Sequence, residues 1–163
     1  MTEAAIPAID GRAGFIAALK WGFAAAFEQG ARRIVCCDAA FADWPLDDAS
    51  LLQGLTQWLK RPQRRLVLLA RRYDEVPRRC PRFSSWRNDW AHAIEAWVAP
   101  DEMAADLPTV LVCDGAVSVH LIDAVHWRGR AELDERRARH WCEELDVVLQ
   151  RSERGFGVNT LGL

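Results

Sequence analysis

Six arginines, Arg71, Arg72, Arg78, Arg79, Arg82 and Arg87, crowd one short stretch in which only Asp74 and Glu75 carry negative charge. A guanidinium group forks onto carboxylate or phosphate, where an ammonium acts as a point charge. Arg71 and Arg72 directly follow the apolar run Arg65–Ala70, which reads as a buried strand. Asp38 holds the corresponding place after Ile34-Val35-Cys36-Cys37. Open α/β sheets bind their ligands outside the carboxyl ends of strands. The spacing therefore predicts an anion-accepting rim of Arg71, Arg72, Arg78, Arg79 and Arg82, with Asp38 beside it. The commoner arrangement is a solvated surface on which these arginines face Asp43, Asp47 and Asp48, worth little to stability.

Other side chains with chemical potential lack the spacing that would combine them. Cys36, Cys37, Cys80, Cys113 and Cys142 are five thiols without zinc-ligand spacing, and the histidines show no H-x3-H or H-E-x-x-H pattern. No metal and no cofactor is expected. His120 and His126 follow the Asp114-Gly115 pair without a spacing that would make either a partner for a cysteine nucleophile. His92, on a tryptophan-rich segment, reads as half-buried structure. Trp58, Trp86, Trp90 and Trp141 fall on apolar helix faces and read as core, while Trp44 and Trp127 fall in loops and are the two to test for exposure.

The elements that must position these groups are legible from periodicity. Asp10 can cap a helix from about Ala13 to Gln29 that Gly30 ends. The strand Ile34–Cys37 follows, then a loop over 39–45 and a helix from Asp47 or Ser50 to Lys60. Next come the strand Arg65–Ala70, a helix over Pro81–His92 and a strand over Ile94–Val98. A loop over 100–108 leads to "TVLVCDGAVSV", two apolar runs split by Asp114-Gly115. That pair predicts a tight hairpin in which Gly115 takes a positive φ. A last helix is expected over Ala131–Arg151. Helices alternating with short buried strands predict an α/β fold whose mixed sheet carries helices on both faces. One domain spanning 1–163 is expected, with a flexible tail at 1–11 and an irregular one at 155–163.

This order, with the stretch "LPTVLVCDG", resembles one half of the phospholipase D-like fold, whose motif is His-x-Lys-x4-Asp with a Gly after the Asp. Asp114 and Gly115 match the end of that motif. Leu107 stands where the resemblance puts the histidine nucleophile, and Thr109 stands where it puts the phosphate-binding lysine. A leucine cannot attack phosphorus and a threonine brings no cation. The resemblance thus implies a half domain that keeps the fold without the catalytic pair, with Asp114 a vestige. Because two halves pack about a two-fold axis in that superfamily, it also implies a homodimer.

Net charge is -2, lysines are only Lys20 and Lys60, and half the residues are hydrophobic. Nucleic acid and membrane are poor partners for such a balance; a small anion or an acidic protein segment fits the arginines better. The arginine bias also fits a GC-rich, bacterial coding sequence. Reduced cysteines and the lack of a secretory or membrane-spanning run point to the cytoplasm. The functional expectation is a non-catalytic binding or assembly module. Its alternative is an enzyme or receptor for a phosphate-containing or other anionic ligand at the strand ends.

Overall fold

The computed structural model describes residues 5–156. The chain forms β1 (Ile9–Asp10), α1 (Arg12–Glu28), β2 (Arg33–Cys37), α2 (Ala49–Leu59) and β3 (Arg65–Ala70). There follow α3 (Val76–Arg79), α4 (Pro81–Asp89), β4 (Ile94–Val98), α5 (Asp101–Ala104) and β5 (Thr109–Cys113). The last elements are β6 (Val117–Asp123), β7 (Arg128–Leu133), α6 (Glu135–Leu149) and β8 (Glu153–Arg154). The strands make one mixed eight-stranded sheet in the order β1-β7-β6-β5-β2-β3-β4-β8. Strands β2, β3 and β4 run parallel, and β5, β6 and β7 form an antiparallel meander beside them.

Alternation along each strand divides the core into two layers. Ile34, Cys36, Leu66, Leu68 and Leu111 face the layer that holds Phe15, Leu19, Phe23, Leu55 and Trp58 from α1 and α2. Val35, Cys37, Val67, Leu69, Val110 and Val112 face the layer that holds Ala138 and Leu145 from α6. The vicinal Cys36 and Cys37 thus lie in opposite layers, both buried. Helix α1 ends as its sequence predicts. Gly30 takes φ +67, its N–H donates to Phe27 O (3.1 Å), and Ala31 N–H donates to Ala26 O (3.0 Å), the paired bonds of a left-handed helix stop. Asp48 caps α2 through Leu51 N–H, and this bond, aided by Lys20, holds its carboxyl below the ordinary range.

Several expectations are corrected. Ile9 and Asp10, assigned to a tail, pair with Gly129 and Arg128 at the sheet edge, and Ile9 is buried. Residues 157–163 of the expected irregular tail lie outside the described residues. Ala131–Leu133, read as the start of the last helix, belong to β7. Asp134 begins that helix instead, its Oδ1 accepting from Arg136 and Arg137 N–H at 2.9 and 3.2 Å. The apolar spacing of Ala131 and Leu133 extends the helical pattern by one turn, but the capping carboxylate fixes the boundary. Short helix α5 occupies a stretch read as loop, and short helix α3 one to which the sequence assigns no element. No helix among the described residues is long and apolar enough to cross a membrane.

The hairpin exists but its turn differs from the expected one. Val112 pairs with Ser118, leaving residues 114–116 as the connection, and Gly115 does not take a positive φ. Its shape is set from outside. Asp114 Oδ1 accepts from Arg32 and Arg33 N–H at 3.0 and 3.3 Å, and Gln29 Oε1 accepts from Ala116 N–H at 3.0 Å. A Cβ on Gly115 would lie 2.5 Å from that Gln29 oxygen. A larger residue there would displace the flexible Gln29 side chain and with it the bond to Ala116 N–H.

Candidate functional site

The arginine segment lies where the sequence places it, past the carboxyl end of β3. Arg71 and Arg72 both donate their backbone N–H to Ala39 O, at 3.0 and 3.2 Å, which ties the rim to the loop after β2. Arg71, Arg72, Arg78, Arg79 and Arg82 are all exposed. Their partners are local. Arg72 pairs with Asp74 (3.6 Å), and Arg78 and Arg79 share Glu75 (3.7 and 3.1 Å). Arg71 and Arg82 have no carboxylate at ion-pair distance among the described residues.

The acidic groups named as possible partners are engaged elsewhere. Asp43 pairs with Arg12, Asp48 with Lys20, and Asp47 Oδ1 accepts from Arg82 and Phe83 N–H at the start of α4. Arg87 is set apart from the exposed five. Its guanidinium carbon lies 3.8 Å from the centroid of the Phe156 ring, which stacks on Tyr73, and burial lowers its pKa. Tyr73 in turn donates its hydroxyl to Trp97 O at 2.7 Å.

Asp38 is near this rim but is not free to serve it. Its Oδ2 accepts from Ala40 and Phe41 N–H at 3.2 and 2.7 Å, and its Oδ1 accepts from the Thr109 hydroxyl at 2.6 Å. Thr109, the position the resemblance gives to a lysine, is therefore a donor that anchors β5 to the end of β2. Leu107 is half-buried and packs on the α6-side core. Asp114 stands beyond the opposite end of β5, so Asp38 and Asp114 belong to opposite ends of the sheet.

Beside Asp114, a cavity of about 390 Å³ is lined by Arg33, Cys113, Asp114, Gly115, Glu135, Arg139 and Cys142. Arg33 is held by Asp146 at 2.9 Å. Burial raises the pKa of Cys113, and it pushes that of Cys142 up to about 11. Burial likewise raises Cys36, Cys37 and Cys80. A thiol held protonated is neither a nucleophile nor a ready metal ligand, and no cluster of three or more metal-ligating side chains occurs among the described residues.

A second cavity, about 280 Å³, opens between β6, β7 and α6, lined by Ser118, His120, Ile122, Arg130, Glu132, Arg137 and Trp141. The sequence reading named His120 but missed the others. Their signal is the alternation V-S-V-H-L-I-D, which puts Ser118, His120 and Ile122 on one face of β6. Strand alternation alone does not say that this face lies under a helix. His126 sits at the β6–β7 turn, its Nδ1 2.9 Å from Asp123 Oδ2, a contact that lowers the Asp123 pKa. His92 is exposed rather than half-buried. Trp44 is 4% exposed, against Phe15 and Phe41, and Trp127 is half-buried over Phe15; both loop tryptophans are drawn inward because aromatic area is costly to leave in water.

No family model matches the sequence, and no curated protein does. Among solved structures, the fold is similar to that of TrmBL2, an archaeal chromatin protein that binds DNA, with a TM-score of 0.63 at 14% identity. The match covers 94% of this chain and 56% of the other, so the chain spans little more than half of that protein. At this identity the likeness shows a shared mixed α/β fold.

Proposed function

We propose that this chain is a non-catalytic binding module, related to the phospholipase D-like half domain, that takes an anion at its arginine rim. The observation that carries the reading is the pinned but incompletely neutralised charge after β3. Arg71 and Arg82 lack carboxylate partners, while Ala39 O fixes the backbone from which Arg71 and Arg72 project. The order of strands, helices, meander and long helix supports the relationship. Leu107 and Thr109 support the absence of catalysis, since one packs in the core and the other holds Asp38. Asp114 supports the turn by accepting from two backbone amides. The relationship also leads us to expect a two-fold homodimer, checked by light scattering at tens of micromolar; a monomer would count against it.

The test is thermal denaturation with phosphate, an acidic peptide and duplex DNA, comparing the native chain with Arg71→Ala/Arg72→Ala. A ligand at 100 times its dissociation constant that binds only the folded state should stabilise by about 2.7 kcal/mol. The response should be lost in the double variant and weaken as salt rises above about 0.15 M. With a net charge of -2, the DNA arm is expected to give the smallest response. The same preparations should leave bis-p-nitrophenyl phosphate uncleaved. Equal stabilisation of both proteins, or turnover that a point substitution abolishes, would overturn the reading.

A further inference from the structure

The cavity between β6, β7 and α6 is chemically unlike the rest of the layer it belongs to. Under α6, strands β2, β3 and β5 present Val35, Cys37, Val67, Leu69, Val110 and Val112. On β6 the inward positions become Ser118 and His120. Ser118 is only 2% exposed, the buried polar residue of the described core, and it lines the cavity. His120 is half-buried with its ring centroid 4.6 Å from that of Trp141. Burial, and then the nearby Arg137, hold its pKa below the ordinary histidine value, so at neutral pH it is an uncharged hydrogen-bonding group.

The walls supply the remaining recognition. Arg130 and Arg137 both reach Glu132, at 3.5 and 3.3 Å, so two guanidiniums share one carboxylate and one positive charge is left over. Trp141 forms a flat aromatic wall and the exposed Ile122 an apolar lip. The volume, about 280 Å³, is below that of typical drug-sized sites, which begin near about 300 Å³. One ring with one charged group suits it.

We propose that this cavity binds a small aromatic monocarboxylate, its ring against Trp141 and Ile122 and its carboxylate toward Arg137, Ser118 and His120. This site is separate from the arginine rim and stands or falls independently of it. The ligand's carboxylate would take the place of part of Glu132's hold on the two arginines.

The experiment is an NMR titration of the full chain with benzoate, benzamide and acetate, following the Trp141 indole and His120 ring signals. Benzoate should shift both saturably, while uncharged benzamide and ringless acetate should bind at least about tenfold more weakly, as expected for losing a charge-assisted hydrogen bond or the aromatic contact. Arg137→Gln and Ser118→Ala should weaken benzoate binding. Glu132→Gln should strengthen it, because it frees both guanidiniums; a Glu132 that only braces the structure would change affinity the other way or not at all. Failure of benzoate to shift either signal at about 10 mM, where even the weakest specific sites of about 1 mM would be filled, overturns the proposal. So does equal binding of benzamide, or unchanged affinity in both Arg137→Gln and Glu132→Gln.

Discussion

Gly129→Ala is expected to destabilise the protein by about 3 kcal/mol, the upper part of the usual range for forcing atoms into packed space. For a chain of this size that is a fall in Tm of roughly 6–12 °C. A Cβ at Gly129 would overlap the carbonyl oxygen of His120 and come within 2.9 Å of Leu121 Cα. Both obstacles are backbone atoms of the neighbouring strand, so no rotamer change relieves them. The ladder between β6 and β7 is already irregular between Leu121 and Asp123, and Ile9 of β1 pairs with Gly129 itself. The substitution should therefore release β1 as well, seen as faster amide exchange across the β1–β7 pairing, at Ile9, Asp10 and Arg128. Gly30→Ala is the comparison. Its φ is +67 but nothing lies within 4 Å of an added Cβ, so it should cost only about 1–2 kcal/mol, the penalty of the left-handed backbone. Equal losses in the two variants would show that contact with β6 is not what requires a glycine at 129.

Asp38→Ala should lower stability by about 3 kcal/mol, because each hydrogen bond to a charged group contributes about 1.5–3 kcal/mol and the losses are not additive. The carboxylate holds three donors: the amides of Ala40 and Phe41 and the Thr109 hydroxyl. Phe41 sits at φ +56, a conformation that costs a bulky residue about 1–3 kcal/mol and persists only when its surroundings hold it. Its ring packs on Trp44 and stacks on Tyr73, so loosening the loop reaches the core. Ala39 O, in the same loop, accepts from Arg71 and Arg72 N–H. Asp38→Ala should thus weaken the phosphate response of the rim along with stability, while Asp38→Asn, which keeps an acceptor, should retain most of both. Denaturation curves with and without phosphate check this. A stable Asp38→Ala protein that has lost the phosphate response would instead make Asp38 part of the anion site.

The amino-acid sequence by itself determined the α/β class and most of its elements. Ile34–Cys37 and Arg65–Ala70 are apolar on both faces, and such runs have few stable places except the middle of a covered sheet. Gly30 marked the end of α1 because its local bonds suffice to stop a helix. Arg71 and Arg72 were placed at a strand end for the same reason: the strand before them is short, continuous and unambiguous. Adjacent residues carry these features, so short-range sequence reveals them.

The tertiary structure decided whatever depended on a distant residue. Asp38 and Asp114 look alike in the sequence, each following a strand. Only the fold shows that one holds Thr109, 71 residues away, while the other caps the amides of Arg32 and Arg33, 82 and 81 residues away. β7 carries Arg128, Arg130 and Glu132 and reads as polar helix or loop, because an edge strand is defined by the neighbour it pairs with rather than by its own pattern. Ser118 and His120 alternate with Val117, Val119 and Leu121 in the pattern of a half-solvated strand. That their polar face lies under Trp141 and Arg137 follows from where α6 crosses the sheet, set by the packing of Ala138 and Leu145 on β5 and its neighbours.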